Sequence, residues 1–318
     1  MVAQRHPGPV NSQTTLIDIG MGNVHGITSV YLLQGTRSGL IDGGTRREAP
    51  RLIKQLRALN AFPPDMIVVT HPHWDHTQGI PLLRQAAAAE GKSIEVVASR
   101  QAIPLLADPA FNDDFGGGPY QAILDVTPID DGDRIDLGGI QLRIIDLPGH
   151  CDGQIGIVDE THSNIFVGDA IGDKLTDDIF VPPFMPSTWD GQGFIVAIEK
   201  LKQIPYETLC LTHFGCISGS EARTILDEAL ENNRIWWEWF DKHADHLHQT
   251  RRLLLAMRSE LNVGIPDIRP IYPGMKLGLG VLTTIASLIG RRTRVLDRLY
   301  FGHVIEWLAT GYGMTKSR

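Results

Sequence analysis

Short apolar runs separated by glycine-rich turns dominate the first part of the chain. They lie at residues 16–19, 30–33 and 40–41, and the last run ends in the triplet Asp42-Gly43-Gly44. Runs of this length, bounded by turn residues, are typical of strands. The segment from residue 14 to 44 therefore predicts several strands of a sheet.

Further along, segments with helical spacing alternate with apolar runs. Residues 47–60 place Leu52, Ile53, Leu56 and Leu59 at intervals of about one helical turn, and residues 79–90 and 191–203 predict further helices. Residues 107–122 predict an irregular loop or lid. Strands are expected at residues 66–69, 94–98, 142–145, 164–167 and 208–211. This mixture up to about residue 218 predicts an α/β fold.

From residue 220 the pattern becomes helical throughout. Residues 220–261 predict one long helix or two, with Ser220 as the candidate N-cap. After a break rich in proline and glycine, two more helices are expected near residues 277–289 and 292–310. We therefore predict two domains, an α/β catalytic domain at residues 1–218 and a helical C-terminal domain at residues 219–318.

Composition narrows the class of protein. The 318 residues are 42% hydrophobic and 21% charged, as in soluble globular proteins. A net charge of −8 argues against nucleic-acid binding, which needs Lys and Arg to neutralise phosphates. No apolar run reaches the roughly 18 to 20 residues of a membrane span. The short apolar segment at residues 277–289 makes the C-terminal helices candidates for a homodimer interface.

Cysteine usage indicates a reducing compartment. Cys151, Cys210 and Cys216 are too few and too irregularly spaced for a disulfide framework. The first residues have no apolar core, so they do not read as a secretory signal. We expect a cytoplasmic protein.

Candidate chemistry is concentrated in residues 70–76, directly after the apolar run at 66–69. His71 and His73 are two residues apart and can point the same way from an extended chain, while Asp75 and His76 can serve a second point. Pro72 keeps His71 out of the helical region. Imidazole nitrogens and carboxylate oxygens are ligands that divalent Zn, Fe and Mn accept. Four such groups within six residues therefore indicate a metal site.

Three later residues supply the rest of a metal site. His150, Asp169 and His213 each follow a short apolar strand, and in an α/β fold such strand ends gather on one edge of the sheet. The complete candidate set has seven members: His71, His73, Asp75, His76, His150, Asp169 and His213.

This set, together with the early turn at residues 42–44, resembles the metallo-β-lactamase superfamily over roughly residues 14 to 218. The resemblance implies an αββα sandwich with a dinuclear metal site in the cleft between its two sheets. It assigns the first metal to His71, His73 and His150. It assigns the second metal to Asp75, His76 and His213, with Asp169 bridging both.

The resemblance also favours one branch of the superfamily. Asp169 stands where many true β-lactamases have cysteine, which points to hydroxyacylglutathione hydrolases, lactonases and related esterases. The terminal run of helices is similar to that of the quinolone-signal response thioesterases and of glyoxalase II enzymes.

The implied activity is hydrolysis of an ester-like bond in a small-molecule substrate, a thioester or a lactone. Two divalent ions, zinc first and iron or manganese as alternatives, would supply a metal-bound hydroxide. Asp75 would orient that hydroxide or carry its proton. A phosphodiesterase, and a regulatory or interaction protein with a structural metal site, are the alternatives.

The candidate substrate-binding residues lie in one loop between the predicted ligands Asp169 and His213. The loop at residues 177–190 carries Phe184, Met185 and Trp189, which either line an apolar pocket or pack the C-terminal helices against the core. Three later histidines are interpreted as a solvated helix face, because the dinuclear set is already complete: His243, His246 and His248.

Overall fold

The computed structural model describes residues 3–23, 25–115, 118–176, 179–261, 263 and 292–316. A short first strand, β1 (Ala3–Gln4), joins the second of two sheets. The first sheet has seven strands, which follow one another in space in chain order. They are β2 (Gly8–Pro9), β3 (Thr14–Asp18), β4 (Ser29–Gln34), β5 (Ser38–Ile41), β6 (Met66–Val68), β7 (Glu95–Ser99) and β8 (Val126–Ile129).

The second sheet also has seven strands. Its further members are β9 (Arg134–Asp136), β10 (Gln141–Asp146), β11 (Ile155–Asp159) and β12 (Asn164–Gly168). After a separate hairpin of β13 (Asp173–Lys174) and β14 (Phe180–Val181) come β15 (Thr208–Leu211) and β16 (Gly215–Ser218). The spatial order is β1-β16-β15-β12-β11-β10-β9, and among the described strands of this sheet only β12 and β15 pair in parallel.

Helices cover the outer faces of both sheets. The described helices are α1 (Ala49–Ala58), α2 (Trp74–Thr77), α3 (Ile80–Ala89), α4 (Ala102–Ala107), α5 (Gly191–Gln203), α6 (Glu221–Lys242), α7 (Thr250–Glu260) and α8 (Arg292–Lys316). Short 3-10 helices lie at Met21–Asn23, Pro109–Phe115 and Ala244–His246.

Strand β4 shows why the apolar runs are continuous rather than alternating. Its Val30 and Leu32 belong to the core between the first sheet and α1, α3 and α4. Tyr31 and Leu33, which point the other way, belong to the core between the two sheets. Both faces of the strand are therefore buried, and the layers run helix, sheet, sheet, helix. The predicted αββα sandwich is confirmed.

Most of the predicted elements are confirmed within a few residues of their expected bounds. The segment at residues 107–122, expected to be irregular, contains the 3-10 helix Pro109–Phe115. Residues 220–261 form two helices, separated by the 3-10 turn Ala244–His246. Ser220 precedes α6, but its side chain makes no capping hydrogen bond. The helix predicted at residues 277–289 lies outside the described residues.

The described helices after residue 220, α6, α7 and α8, share one hydrophobic core with the outer face of the second sheet. Leu226 and Phe240 of α6, Leu253 of α7 and Leu308 of α8 are buried in the cluster that also contains Ile198 of α5. The domain boundary at 218/219 and the homodimer stay predictions. Among the described helices, none combines the length and the hydropathy of a membrane span.

Candidate metal centre

The seven predicted ligands come from strand ends at the same edge of the sandwich. His71 follows β6, His150 follows β10, Asp169 follows β12 and His213 follows β15. Gly149 adopts φ +131°, and a Cβ there would lie 2.5 Å from the Phe194 backbone nitrogen. Only glycine therefore allows the turn before His150 to pack so closely against α5.

Their ligand atoms converge in overlapping groups, each with members within 4.8 Å of one another. One group is His71, His73 and His150, and another is Asp75, His76 and His213. A third group contains Asp169 together with His71 of the first group and His76 of the second. These are the sets that the resemblance assigned to two metals and a bridging carboxylate.

The first group presents three imidazole nitrogens to one point. Nδ1 of His73 lies 3.0 Å from Nε2 of His71 and 2.9 Å from Nε2 of His150. Burial, reinforced by neighbouring histidines, lowers the pKa of His71 and of His73 well below the ordinary value, and burial also lowers that of His150. All three imidazoles are therefore neutral, which is the form that binds a metal.

Asp169 lies at the centre of the cluster. Its Oδ2 is 3.2 Å from Nε2 of His76 and 3.7 to 3.8 Å from the Nε2 atoms of three other histidines, His71, His150 and His213. Burial alone would raise the pKa of Asp169, but the charges of His76 and His213 outweigh it and hold that pKa well below its usual range.

The second group contains imidazoles in contact with carboxylates. Nε2 of His213 lies 3.1 Å from Oδ2 of Asp75. Burial would lower the pKa of both histidines of this group. For His76 the carboxylates of Asp169 and Asp75 outweigh burial and raise the pKa well above its ordinary value, and for His213 nearby carboxylates raise it to about 10.

Hydrogen bonds to the far side of the rings fix their orientation. Nδ1 of His76 donates to Oδ2 of Asp42 at 2.8 Å, and the hydroxyl of Thr70 donates to the same oxygen at 2.8 Å. Nδ1 of His150 donates to the Pro183 carbonyl at 2.9 Å, and Nδ1 of His213 donates to the Ile27 carbonyl. Such contacts fix the tautomer and leave Nε2 of each ring to face the cluster.

The donor set fits divalent metals. Oδ1 of Asp169 is buried without a hydrogen-bond partner in the described part of the chain, and a buried polar atom is costly unless something satisfies it. Nitrogen and oxygen donors of this kind suit Zn, Fe and Mn. Burial raises the pKa of the Cys151 thiol, so this neighbour of His150 is protonated and a poor nucleophile.

Sequence reasoning missed groups that lie beside the cluster. Asp173 offers a ligand atom within 4.8 Å of those of Asp169 and His213, and burial raises its pKa to about 8. The ring of Phe115 lies 4.8 Å from that of His73 and 5.6 Å from that of Trp307 on α8. No spacing motif announces these residues, because turns and the distant helix α8 bring them to the site.

The predicted substrate residues lie in the core. Phe184, Met185 and Trp189 are 0%, 8% and 3% exposed. The Phe184 ring contacts those of Trp237 and Phe240 on α6 at 5.8 and 6.0 Å. They pack the C-terminal helices against the core, which is one of the two alternatives, and a role in substrate binding stays a prediction.

The later histidines take no part in the metal-ligand groups found within the described residues. The expectation of a solvated face is wrong for His243, which is buried, packs against the Trp239 ring and lies 3.1 Å from a Glu260 carboxylate oxygen. The chain turns at this point from α6 into a 3-10 helix, and α7 then folds back to cover the ring. His246 and His248 both lie beside Gln249.

Known proteins with similar sequences are hydrolases. The hydroxyacylglutathione hydrolase of Hyphomonas neptunium is 26% identical over 51% of this chain and 62% of its own length. This chain therefore spans less than two thirds of that relative. Acyl-coenzyme A thioesterase MBLAC2 of Gallus gallus is 28% identical over 55% of this chain and 67% of its own length. A probable metallo-hydrolase of Burkholderia pseudomallei is 30% identical over 65% of this chain and 76% of its own length.

Solved structures share the fold at low sequence identity. A metallo-β-lactamase superfamily protein from Sulfolobus tokodaii superposes with a TM-score of 0.57 at 20% identity, covering 69% of this chain and 85% of that one. The subclass B3 metallo-β-lactamase MEM-A1, isolated from a soil metagenome, superposes with a TM-score of 0.58 at 18% identity, covering 76% of this chain and 98% of that one. The family model of the metallo-beta-lactamase superfamily, which describes its sequences, matches residues 23–213 of this chain. That range includes every residue of the seven-member cluster, and the chain belongs to the metallo-β-lactamase superfamily.

Proposed function

We propose that this protein is a dinuclear metal-dependent hydrolase of ester-like bonds, with thioesters as the first substrate class and lactones as the second. The observation that carries the proposal is the pair of three-residue ligand groups, His71, His73, His150 and Asp75, His76, His213, with Asp169 between them. One carboxylate shared between two such groups is the arrangement expected of a two-metal site.

The first metal would be held by the three neutral imidazoles and the second by the two histidines with Asp75. Zinc is the first expectation, and iron or manganese are alternatives. When bound, two such ions supply a water of lowered pKa and polarise the substrate oxygen.

Asp75 is the residue that we propose contacts the water molecule that attacks the substrate. Its side chain is 14% exposed, against 8% or less for the other members of the second group. Its carboxylate also accepts a hydrogen bond from His213, which fixes the direction in which its remaining lone pairs point. Asp75 can therefore orient a water molecule by accepting its proton in a hydrogen bond, and carry that proton away.

The preference for thioesters rests on the relatives. Their names describe hydrolysis of acyl groups carried on glutathione or on coenzyme A, and both kinds of carrier hold the acyl group through sulfur. The chain matches only part of the length of these proteins, so the substrate is a proposal that requires a direct assay.

The test uses the full chain, stripped by a chelator and reloaded with Zn²⁺. We expect two metal ions per chain, measured by elemental analysis. We also expect hydrolysis of an acyl-coenzyme A or an acylglutathione that disappears on chelation. Asp169→Asn should lose at least about a hundredfold in kcat/KM, because a neutral amide has only one oxygen donor and cannot replace a carboxylate shared between two cations. Asp227→Asn, whose side chain is 74% exposed, is the matched control and should keep full activity.

Other outcomes separate the alternatives. Cleavage of bis(4-nitrophenyl) phosphate without cleavage of any carboxylic ester or thioester would establish the phosphodiesterase. A chain that binds metal but hydrolyses none of these substrates would favour the interaction protein. A chain that binds no metal under any loading condition overturns the proposal.

A further inference from the structure

Asp173 is an additional carboxylate at one end of the metal centre. It stands four residues after Asp169, as the first residue of β13. Its ligand atom, that of Asp169 and that of His213 lie within 4.8 Å of one another. In the described part of the chain, no hydrogen bond or ion pair to another residue holds its carboxylate.

The backbone around Asp173 is fixed by contacts on both sides. Gly172 donates its N–H to the Asp169 carbonyl at 2.9 Å and adopts φ +91°, and a Cβ there would lie 2.4 Å from the Val181 carbonyl oxygen. The next residue, Lys174, pairs with Glu228 of α6 at 3.3 Å, and its carbonyl accepts from Arg5. The carboxylate of Asp173 is thus held at the cluster by a tight turn and by anchors on α6 and on the N-terminal segment.

The two ends of the centre consequently differ in chemistry. The first end offers three imidazoles and a share of Asp169. The second end offers two imidazoles, Asp75, its share of Asp169 and Asp173. Asp169 shares a ligand group with Asp173 and His213, and its Oδ1 is buried with no hydrogen-bond partner among the described residues, so an oxygen of this group is left for a cation to satisfy.

We propose that Asp173 is a further metal ligand at the end of the centre formed by Asp75, His76 and His213, and that it raises the affinity of this end for hard divalent ions such as Mn²⁺. Carboxylates suit Mn²⁺, whereas imidazoles suit Zn²⁺. The inference rests on the proposed two-metal function, but it concerns the selectivity of one end for a particular metal rather than the reaction.

The experiment measures metal binding by the metal-free full chain. Mn²⁺ is titrated and its free concentration is followed by electron paramagnetic resonance, and Zn²⁺ affinity is measured by competition with a chelating dye. We expect Asp173→Asn to weaken Mn²⁺ binding at least about tenfold, the scale on which changes at a metal site act. Zn²⁺ binding should weaken less, so the ratio of the two affinities should change.

Asp113→Asn is the matched control, since Asp113 is exposed on the 3-10 helix after α4 and its replacement removes the same charge. Far-UV circular dichroism in the presence of a chelator establishes whether the variants are folded. If Asp173→Asn does not fold, Asp173→Ser is measured in its place. Equal Mn²⁺ affinity in the Asp173 and Asp113 variants overturns this inference alone. A wild-type chain that takes up neither Mn²⁺ nor Zn²⁺ overturns the proposed function together with it.

Discussion

The histidines of the metal centre are governed by different balances of burial and charge. His71, His73 and His150 face mainly one another, so burial dominates and lowers the pKa of each. His76 and His213 face carboxylates, which outweigh burial and raise the pKa of both. A metal entering the first group meets neutral rings, whereas one entering the second group must displace protons.

Metal binding should therefore release protons. With a pKa of about 10, His213 is protonated near neutral pH in the metal-free chain, and His76, whose pKa is also raised, is protonated with it. We expect filling of both ends at about pH 7 to release about two protons from these histidines, and about one more from Asp173, whose pKa of about 8 leaves it protonated, when it binds the metal as proposed. Calorimetric titration with Zn²⁺ in two buffers of different ionisation enthalpy measures the number. His213→Ala should release fewer, and a heat independent of the buffer would contradict the prediction.

At this scale the sequence predicts the ligand set but not its surroundings. His71 to His76 form a spaced motif, and the strands that precede His150, Asp169 and His213 are recognisable as apolar runs. Asp173 could not be predicted, because the turn at Gly172 decides where its side chain points. The contact of Phe115 with Trp307 joins residues almost two hundred positions apart, which no local pattern encodes.

Helices at the edge of the site begin in two different ways. Asp190 precedes α5 with an extended backbone, and its carboxylate accepts from the Gln192 N–H at 3.0 Å. Ser220 precedes α6 with a helical backbone and no capping bond. The sequence pattern predicts Ser220 and not Asp190 as a cap, although both residue types are common caps, and only the backbone angles determine whether the side chain can reach an N–H.

Replacing these two residues by alanine should therefore lower the free energy of unfolding by different amounts. Asp190→Ala should lower the free energy of unfolding by about 1 kcal/mol, because an unpaired N–H remains at the start of α5. Ser220→Ala, which loses no capping bond, should stay within about 0.5 kcal/mol of the wild type. Urea unfolding of the zinc-loaded chain, followed by far-UV circular dichroism, compares the two. Equal losses of unfolding free energy in the two variants would contradict the predicted difference between the caps.

At the scale of the molecule, the described C-terminal helices α6 to α8 pack against the outer face of the second sheet. Phe240 of α6 is fully buried, and its ring lies 5.3 Å from that of Tyr312 on α8 and 6.0 Å from that of Phe184. The same cluster reaches Ile165 and Leu209 of the second sheet. The change from mixed to helical patterning after residue 218 is visible in the sequence. The shared core is not, because hydrophobic periodicity shows which face is apolar but not what it contacts.

This shared core predicts one cooperative unfolding transition for the described α/β part and helices α6 to α8. Phe240→Ala should lower the free energy of unfolding by about 3 to 5 kcal/mol, the usual cost of truncating a buried phenylalanine. Ile235→Ala on the same helix removes a side chain that is 40% exposed, so its smaller effect controls for the helix itself. Urea unfolding is followed by tryptophan fluorescence, to which the three tryptophans of α6 and Trp307 of α8 contribute four of the six in the chain, and by Zn²⁺ release, which reports on the metal centre. Trp74→Phe and Trp189→Phe in the background restrict the fluorescence to these helices. If the helices were an independent domain, Phe240→Ala would shift the fluorescence transition and leave Zn²⁺ release unchanged. A shift of both transitions to the same lower urea concentration is the result that one continuous core requires.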